Sequence, residues 1–301
     1  MIFSTNNIQT DIIKDILLEE REVALSVVRL DKLHPVISGN KLFKLHYFLK
    51  DTLPQSTAEI VTFGGAFSNH LVATAFACKQ LQLSCTGIVR GERASQLAHT
   101  LMQCLAYDMK LKFISRAEYD KKDQDNFIET IKSVYKNCII IPEGGFHFLG
   151  AKGAAEIMNF VPQETTHICC AVGTATTLSG LLTGLKNEQQ LIAFPVIKNM
   201  HDIAERIEFL TGNSYHTNQL KIMSDYHFGG YAKKTQPLID FMNLLFDKHQ
   251  LPTDFVYTAK MMFGIFNMIK NNVFEKGSKI VCIHTGGLQG NLSLGNGVLN
   301  F

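Results

Sequence analysis

The chain has 301 residues, of which 46% are hydrophobic and 19% are charged, and its formal net charge is +2. This length allows a large buried core and favours two lobes over one, and the composition is that of an ordinary soluble globular protein. The lysine doublets at 121–122 and 233–234 are isolated, which argues against a nucleic acid as the main partner because phosphate contacts need clustered cations.

The cysteines and the amino-terminal segment indicate the compartment. Seven cysteines, an odd number without CxxC spacing, suit buried free thiols in a reducing compartment better than disulfides or a zinc site. Residues 1–22 lack the basic start and apolar stretch of a signal peptide. No apolar segment reaches the roughly 20 residues that span a bilayer. We therefore expect a soluble, cytoplasmic protein without membrane contact.

From residue 59 onward, short apolar runs alternate with segments of helical periodicity. The expected strands are 59–65, 84–91, 110–115, 138–145, 166–173, 190–197, 221–228 and 279–287, and the expected helices are 68–81, 94–109, 125–137, 151–161, 176–185, 201–212 and 236–249. Because the strands are continuously apolar, we expect mostly parallel, open, twisted sheets with helices on both faces, which is an α/β fold.

Most of the expected strands end in a turn that carries glycine or polar residues, such as FGGAFSN, PEGGFH, VGTATT and HTGG. In open α/β sheets, ligands bind beyond the carboxyl ends of the strands, where glycine lets the backbone approach them. The sequence therefore predicts a ligand cleft along this rim.

Lys41 follows a Ser-Gly-Asn turn at the expected start of a helix. A lysine there is most often a solvated surface charge. A free lysine has a pKa of about 10.4, so near neutral pH only about one in a thousand is an amine nucleophile. A Schiff-base lysine therefore needs desolvation or a neighbouring cation. Lys44, one helical turn on, could be that cation or could bind a phosphate itself.

Four other turns leave a structural and a functional interpretation open. The stretch 173–177 has the strand–turn–helix form of a phosphate site, and its threonine hydroxyls add hydrogen-bond donors. It matches neither the Walker loop nor the GxGxxG motif, and it could be only a tight turn between packed elements. Residues 68–70 could cap a helix or hold a carboxylate. His147 is a loop histidine rather than a metal ligand, since no second ligand lies at metal-site spacing, and we expect no metal. Residues 257–258 precede a helix, and their aromatic ring could serve packing alone.

Seven sequence stretches occur together in a fixed order along the chain, and this combination is more specific for a family than any one of them. They resemble the D-cysteine desulfhydrase and 1-aminocyclopropane-1-carboxylate (ACC) deaminase family of pyridoxal 5'-phosphate (PLP) enzymes, which has the tryptophan synthase β-chain fold. The resemblance extends from about residue 26 to residue 288 and is carried by VVRLDKLHPVISGNKLFKL, FGGAFSNH, IPEGGFHFLGAKG, VGTATTLSG, FGGYAK, DFVYTAK and IHTGG.

The resemblance implies a role for each candidate residue. Lys41 would bind the cofactor aldehyde covalently, and Lys44 would lie near the cofactor phosphate. The phosphate would be cradled by Gly173, Thr174, Ala175, Thr176 and Thr177. Asn69 would bind the cofactor's 3-hydroxyl group, and the substrate carboxylate would be held by Ser68, Asn69 and His70. Thr258 would sit at the pyridine nitrogen with Thr285 nearby, and Tyr231 and Tyr257 would line the site. Lys41, Ser68 and Tyr257 would be catalytic, Tyr257 in proton transfer.

Two departures from the family pattern affect the expected chemistry. The family's phosphate loop is usually richer in glycine than GTATT, so Ala175 and Thr176 narrow it. ACC deaminases have an acidic residue where this chain has Thr258. A hydroxyl leaves the ring nitrogen mostly neutral, and this weaker electron sink suits β-elimination better than cyclopropane opening. The leading hypothesis is therefore an elimination that yields a 2-oxo acid and ammonia from a small amino acid.

Other functions stay open at this level. They are ACC ring opening, deamination of D-serine-like substrates, and a protein that binds PLP or an amino acid without turnover. The resemblance further implies a small domain, 46–152, inserted into a large PLP-binding domain made of 1–45 and 153–301. The cofactor would lie in the cleft between them, and a homodimer is expected.

Overall fold

A computed structural model describes residues 3–52, 58–214 and 218–301. The parts of the two predicted domains that fall in 1–2, 53–57 and 215–217 lie outside these described residues.

Within the described ranges, ten strands and eleven α-helices follow one another along the chain. The strands are β1 (Thr10–Ile13), β2 (Ala24–Arg29), β3 (Glu59–Gly64), β4 (Cys85–Arg90), β5 (Lys110–Ile114), β6 (Cys138–Ile141), β7 (His167–Val172), β8 (Gln190–Pro195), β9 (Leu220–Ile222) and β10 (Lys279–His284). The helices are α1 (Ile16–Glu20), α2 (Asn40–Thr52), α3 (Asn69–Gln80), α4 (His99–Ala106), α5 (Arg116–Tyr119), α6 (Asp125–Val134), α7 (Phe148–Ala155), α8 (Thr176–Thr183), α9 (Ile203–Thr211), α10 (Gln236–His249) and α11 (Thr258–Lys270).

The strands form two sheets. One has six strands in the order β1-β2-β10-β7-β8-β9, and the other has four in the order β5-β4-β3-β6. All pairings are parallel except that of β1 with β2. Five consecutive residues of β7 are buried, as expected for a strand covered on both faces. The predicted α/β fold with mostly parallel sheets is confirmed.

Glycine residues allow the helices α2, α7 and α8 to pack closely against one another. A Cβ atom added to Gly153 of α7 would lie 1.9 Å from the carbonyl oxygen of Phe43 in α2. A Cβ atom added to Gly180 of α8 would lie 2.5 Å from the carbonyl oxygen of Ala151 in α7. These contacts hold the start of α2, which carries Lys41, in a fixed position relative to the start of α8.

The structure differs from the sequence prediction at several places. The amino-terminal strands β1 and β2 precede the predicted series. The helix expected at 94–109 begins only at His99, since the residue before it, Ala98, still has a non-helical backbone with a φ of −59° and a ψ of 148°. The helix expected at 151–161 begins at Phe148, where the ring nitrogen of His147 accepts a hydrogen bond from the N–H of Leu149.

A further difference lies at 221–228. The strand expected there ends at Ile222, is followed by a 3₁₀ turn, Ser224–His227, and reaches a left-handed residue at Phe228.

All seven cysteines are free thiols, and six of them are buried, which agrees with the prediction that they form no disulfides. None of the described helices has the length and apolar character needed to span a membrane. The domain division at residues 46 and 152 stays a prediction.

Candidate active site

A cavity of about 390 Å³ lies where the carboxyl ends of strands from both sheets meet. Its wall includes twelve of the fourteen predicted site residues, namely Lys41, Lys44, Ser68, Asn69, His70, Gly173, Thr174, Ala175, Thr177, Tyr231, Tyr257 and Thr285. Thr176 and Thr258 are fully buried behind this wall. The predicted ligand cleft is therefore present at the expected rim.

Contact between two glycine turns brings Lys41 beside the end of β10. Gly39 has a φ of +73°, and a Cβ atom added there would lie 1.8 Å from the carbonyl oxygen of Thr285. The N–H of Asn40 donates a hydrogen bond to that same oxygen at 3.2 Å. Because no side chain fits between the two backbones, glycine at position 39 sets the approach of α2 to the cavity.

The ammonium of Lys41 faces the cavity and is held by its neighbour. Its Nζ donates to Oδ1 of Asn40 at 2.7 Å, while Nδ2 of Asn40 donates to Oγ1 of Thr177 at 2.8 Å. Burial lowers the pKa of Lys41 to about 8, although the negative charge of Asp254 opposes this shift. Lys41 therefore has the depressed pKa that an amine nucleophile needs near neutral pH.

Lys44 is a second buried lysine on the same wall, with 5% of its surface exposed. Burial lowers its pKa well below the ordinary value, and the positive charge of Lys41 lowers it further. An anion bound in the cavity would favour the charged form of Lys44. A Cβ atom added to Gly145 would lie 3.2 Å from the Cβ of Lys44, so the turn after β6 packs directly against this side chain.

The turn between β7 and α8 provides a helix start without a side-chain cap. Ala175 precedes the helix in a left-handed conformation, with a φ of 66°, and makes no side-chain hydrogen bond to it. The first N–H groups of α8 and the positive end of its dipole are therefore suited to an anion. The hydroxyls of Thr174 and Thr176 are 2.9 Å apart and hold the turn together.

The start of α3 combines a cap with an unpaired polar atom. Oγ of Ser68 accepts a hydrogen bond from the N–H of Leu71 at 3.3 Å, so this serine is an N-cap, as its position in the sequence suggested. Oδ1 of Asn69 is buried without a hydrogen-bond partner among the described residues. A buried polar atom without a partner is unfavourable, so Asn69 is well suited to bind a polar ligand group in the cavity.

His70 is a neutral side chain. Thr62 donates its hydroxyl proton to the carbonyl of Ile141 at 2.8 Å, so it accepts a hydrogen bond from Nε2 of His70, 2.9 Å away. This pairing assigns the ring proton to Nε2 and leaves Nδ1 as a buried acceptor without a partner in the described chain. Burial, with the charges of Lys41 and Lys44, lowers the pKa of His70 to about 3. His70 therefore adds no positive charge to the cavity.

Asp254 is a buried carboxylate that the sequence analysis missed. One oxygen accepts from the N–H of Tyr257 at 2.8 Å, and the other accepts from the N–H and the hydroxyl of Thr258 at 2.9 and 2.7 Å. The Thr258 hydroxyl also accepts from the N–H of Asp254 at 2.8 Å. Asp254 thus organises the start of α11 and places a negative charge near Lys41. The signal was an aspartate just ahead of a helix start in DFVYTAK.

Two tyrosines close one side of the cavity. The hydroxyls of Tyr231 and Tyr257 are 3.5 Å apart. Desolvation in the cavity raises the pKa of each hydroxyl, although the Tyr231 residue is 55% exposed, so both are protonated at neutral pH. A Cβ atom added to Gly173 would lie 3.1 Å from Cε1 of Tyr257. The absence of a side chain at Gly173 therefore makes room for the Tyr257 ring over the turn that precedes α8.

Further residues on the cavity wall were not identified from the sequence. Arg90 ends β4 and forms an ion pair with Asp120 at 3.5 Å, and Glu143 forms one with Lys122 at 3.6 Å. Phe67 is 58% exposed beside them. Their position at or just after strand ends of the four-stranded sheet was the available signal in the sequence.

Pyridoxal phosphate, the cofactor implied by the resemblance, fits this set of residues. An aldehyde can react with the amine of Lys41, whose pKa is depressed. A phosphate suits Lys44 and the open helix start after Gly173. The unpartnered Oδ1 of Asn69 suits a ring hydroxyl as donor.

Comparison with known proteins agrees with this geometry. A Pyrococcus furiosus protein with the provisional name 1-aminocyclopropane-1-carboxylate deaminase is 30% identical over 288 residues, which cover 88% of this chain and 85% of that protein. A D-cysteine desulfhydrase of Klebsiella pneumoniae is 26% identical, with 83% of each chain covered. A mitochondrial Arabidopsis thaliana protein named as bifunctional for both activities is 28% identical, covering 84% of this chain and 70% of that one.

A crystal structure described as an ACC deaminase homologue superposes with a TM-score of 0.80 at 23% identity, covering 97% of this chain and 93% of the other. This likeness confirms the fold. The family model described as pyridoxal-phosphate dependent enzyme matches residues 8–286. Since that match covers most of the chain, the protein belongs to the family of pyridoxal-phosphate dependent enzymes, and PLP is its cofactor.

Proposed function

We propose that the protein is a lyase that eliminates a β-substituent from a small amino acid and releases a 2-oxo acid and ammonia, as a D-cysteine desulfhydrase does. The observation that carries the proposal is the amine of Lys41, with its pKa lowered to about 8, on the wall of a cavity that also holds Lys44 and the open start of α8. A cavity of about 390 Å³ suits a cofactor with a small substrate.

Lys41, Lys44 and the turn 173–177 would hold the cofactor by its aldehyde and its phosphate, with Asn69 at the ring hydroxyl. Bound there, PLP supplies an electron sink for bond changes at the α-carbon of the amino acid. Thr285 would lie close to the ring, since its carbonyl contacts the turn that precedes Lys41. The roles of these residues toward the cofactor are part of the proposal.

The substrate carboxylate would be bound at the start of α3. Because His70 is neutral, binding there would depend on the hydroxyl of Ser68, on Asn69 and on the first N–H groups of the helix rather than on a cation. The positive end of a helix dipole favours a carboxylate at this position.

Two groups would handle protons. The amine of Lys41, with a pKa of about 8, can take up and return a proton at neutral pH, which suits a base that removes the α-proton of the substrate. Tyr257 keeps its hydroxyl proton, since burial raises its pKa, and would serve as a hydrogen-bond donor to the substrate or to its leaving group.

The hydroxyl at position 258 favours elimination over ring opening. Position 258 is a threonine and so supplies no carboxylate to the ring nitrogen. Its hydroxyl donates a hydrogen bond to Oδ1 of Asp254 and accepts one from the N–H of Asp254. The leaving group accepts the electrons in a β-elimination, so a weaker electron sink is sufficient.

ACC ring opening is the second candidate. It is supported by the names of the Pyrococcus furiosus and Arabidopsis thaliana relatives, which include ACC deaminase. Deamination of D-serine-like amino acids is a variant of the leading reaction with a poorer leaving group.

We further propose that the enzyme acts in the cytoplasm as a homodimer. The buried free thiols suit a reducing compartment, and the dimer is inferred from the family resemblance. We also keep the proposed division into a large domain, 1–45 and 153–301, and a small domain, 46–152. The cavity lined by strand ends of both sheets supports a site between them.

A substrate panel scored for 2-oxo acid and ammonia tests the proposal. We expect turnover of D-cysteine, loss of turnover in Lys41→Ala, and little change in Lys50→Ala, which removes an exposed lysine of the same helix. Products from ACC with none from D-cysteine would contradict the leading reaction. To test position 258, Thr258→Glu should be combined with Asp254→Asn, because a second carboxylate beside Asp254 would be a buried like-charge pair.

A further inference from the structure

Lys260 is a buried lysine that the proposed chemistry does not use. It lies in the first turn of α11 with 0% of its surface exposed, and it does not line the cavity. Its Nζ donates a hydrogen bond to the carbonyl oxygen of Gly230 at 2.8 Å. Burial lowers its pKa to about 8, while Asp254 opposes the shift. A buried ammonium is costly unless its partners compensate, so its one hydrogen bond within the described part of the chain needs a physical reason.

The segment held by this bond has an unusual backbone. Phe228, Gly229, Gly230 and Ala232 have φ values of 52°, 92°, 119° and 53°. For residues other than glycine, this left-handed region costs roughly 1–2 kcal/mol each. A segment with several such residues keeps one conformation only when surrounding contacts hold it. The hydrogen bond from Lys260 is one of these contacts, and it comes from outside the segment.

Tyr231 lies inside this segment, directly after Gly230, and its ring lines the cavity. Its hydroxyl is 3.5 Å from that of Tyr257, and the two rings meet edge to face with centroids 6.0 Å apart. Tyr257 precedes Lys260 by one helical turn. The start of α11 therefore contacts this segment twice, at the hydroxyl of Tyr231 and at the carbonyl oxygen of Gly230.

We propose that Lys260 is a positioning residue for the active site: its hydrogen bond to Gly230 fixes the segment 228–232, so that Tyr231 closes the cavity beside Tyr257. Lys260 acts through this segment and touches neither substrate nor cofactor. The inference rests on the proposed function only in treating the cavity as the catalytic site.

The hydrogen bonds around Gly230 make the proposal testable without unfolding the chain. The carbonyl oxygen of Gly230 also accepts from the N–H of Lys233 at 3.1 Å. Lys260→Met keeps the length of the side chain and removes a buried charge, and it leaves this oxygen with one donor. Removing the ammonium also removes the cost of burying it, so we expect the variant to fold. Lys260→Gln keeps an N–H donor without the charge, and it is the variant expected to restore positioning in part.

The rate of tryptic cleavage reports directly on how firmly the segment 228–232 is held, because Lys233 and Lys234 are exposed just beyond it. We expect the protein as purified to be cut after these lysines about tenfold faster or more in Lys260→Met, less so in Lys260→Gln, and at the wild-type rate in Lys270→Met. Lys270 is exposed at the other end of α11, so its replacement is the matched control. Equal cleavage rates for Lys260→Met and Lys270→Met would overturn the proposal.

A double-mutant comparison of activity tests whether Lys260 acts through Tyr231. In the holoenzyme, Lys260→Met should lower kcat/KM about tenfold or more with Tyr231 present and should add little in the Tyr231→Ala background. Equal losses in both backgrounds would show that Lys260 does not act through Tyr231. If the wild-type protein turned over no amino acid, the proposed function would fail, but the cleavage rates would still decide whether Lys260 holds the segment.

Discussion

The depressed pKa of Lys41 leads to a quantitative prediction about its reactivity. With a pKa of about 8, roughly a quarter of the side chain is neutral amine near pH 7.5, against about one in a thousand for a free lysine. The neutral fraction therefore rises by about 200-fold, and the lower basicity of the amine offsets part of this gain. We expect the rate of Lys41 modification by an aldehyde to rise with pH and to level off above about pH 9.

The assay uses apoprotein, pyridoxal without its phosphate, and cyanoborohydride, with the modified lysines identified by peptide mass. Lys50 is the internal control, since it is exposed on the same helix, and its modification rate should keep rising through about pH 10. Asp254→Asn removes the negative charge that opposes the shift, so the midpoint for Lys41 should move to lower pH. A Lys41 rate that rose in parallel with that of Lys50 would refute the reasoning.

Three further predictions concern stability. Ala175→Gly should stabilise the fold by about 1 kcal/mol and raise the Tm by a few degrees, because glycine adopts the left-handed conformation at φ 66° without strain. A lower Tm would show that the Ala175 methyl group contributes more by packing. Gly39→Ala should lower the free energy of unfolding by about 3 kcal/mol or more in denaturant melts, because its Cβ would meet the carbonyl of Thr285. The control Gly277→Ala, at a φ of +82° with no atom within 4 Å, should cost only about 1 kcal/mol, and equal costs would contradict the close contact. Lys41→Met should stabilise the apoprotein at pH 7 by up to about 3 kcal/mol, because the wild-type fold must bury a charged Lys41. This advantage should be lost as the pH rises from 8 towards 10.5, since in this range the Lys41 side chain of the wild-type protein is neutral when folded but still protonated when unfolded. An advantage independent of pH would contradict the depressed pKa.

The parallel sheets were predictable because their strands are continuous apolar runs. The runs that became β3, β4, β7 and β10 are buried nearly throughout, and such runs indicate strands covered on both faces. The edge strand β1 has a mixed burial pattern and pairs antiparallel with β2. Its existence depends on a partner rather than on its own composition, so the sequence did not indicate it.

The turns of the site were predictable, but the contacts behind them were not. Glycine and polar residues at strand ends located Lys41, Ser68 and the turn 173–177. Lys260 carries no such signal, because its role depends on a tertiary hydrogen bond to Gly230. Asp254 could be located only as an aspartate just ahead of a helix start, and its closeness to Lys41 depends on the tertiary fold. The contact of Gly39 with Thr285 joins residues far apart in the chain, and spacing alone could not reveal it.

The central claim is that the ε-nitrogen of Lys41 carries the cofactor. Borohydride reduction of the protein as purified, followed by digestion and peptide mass analysis, tests this directly. We predict a single phosphopyridoxyl adduct on the peptide that contains Lys41, with none in Lys41→Ala. An adduct on Lys44 or Lys260 in the wild-type protein, or no adduct after incubation with excess PLP, would contradict the claim.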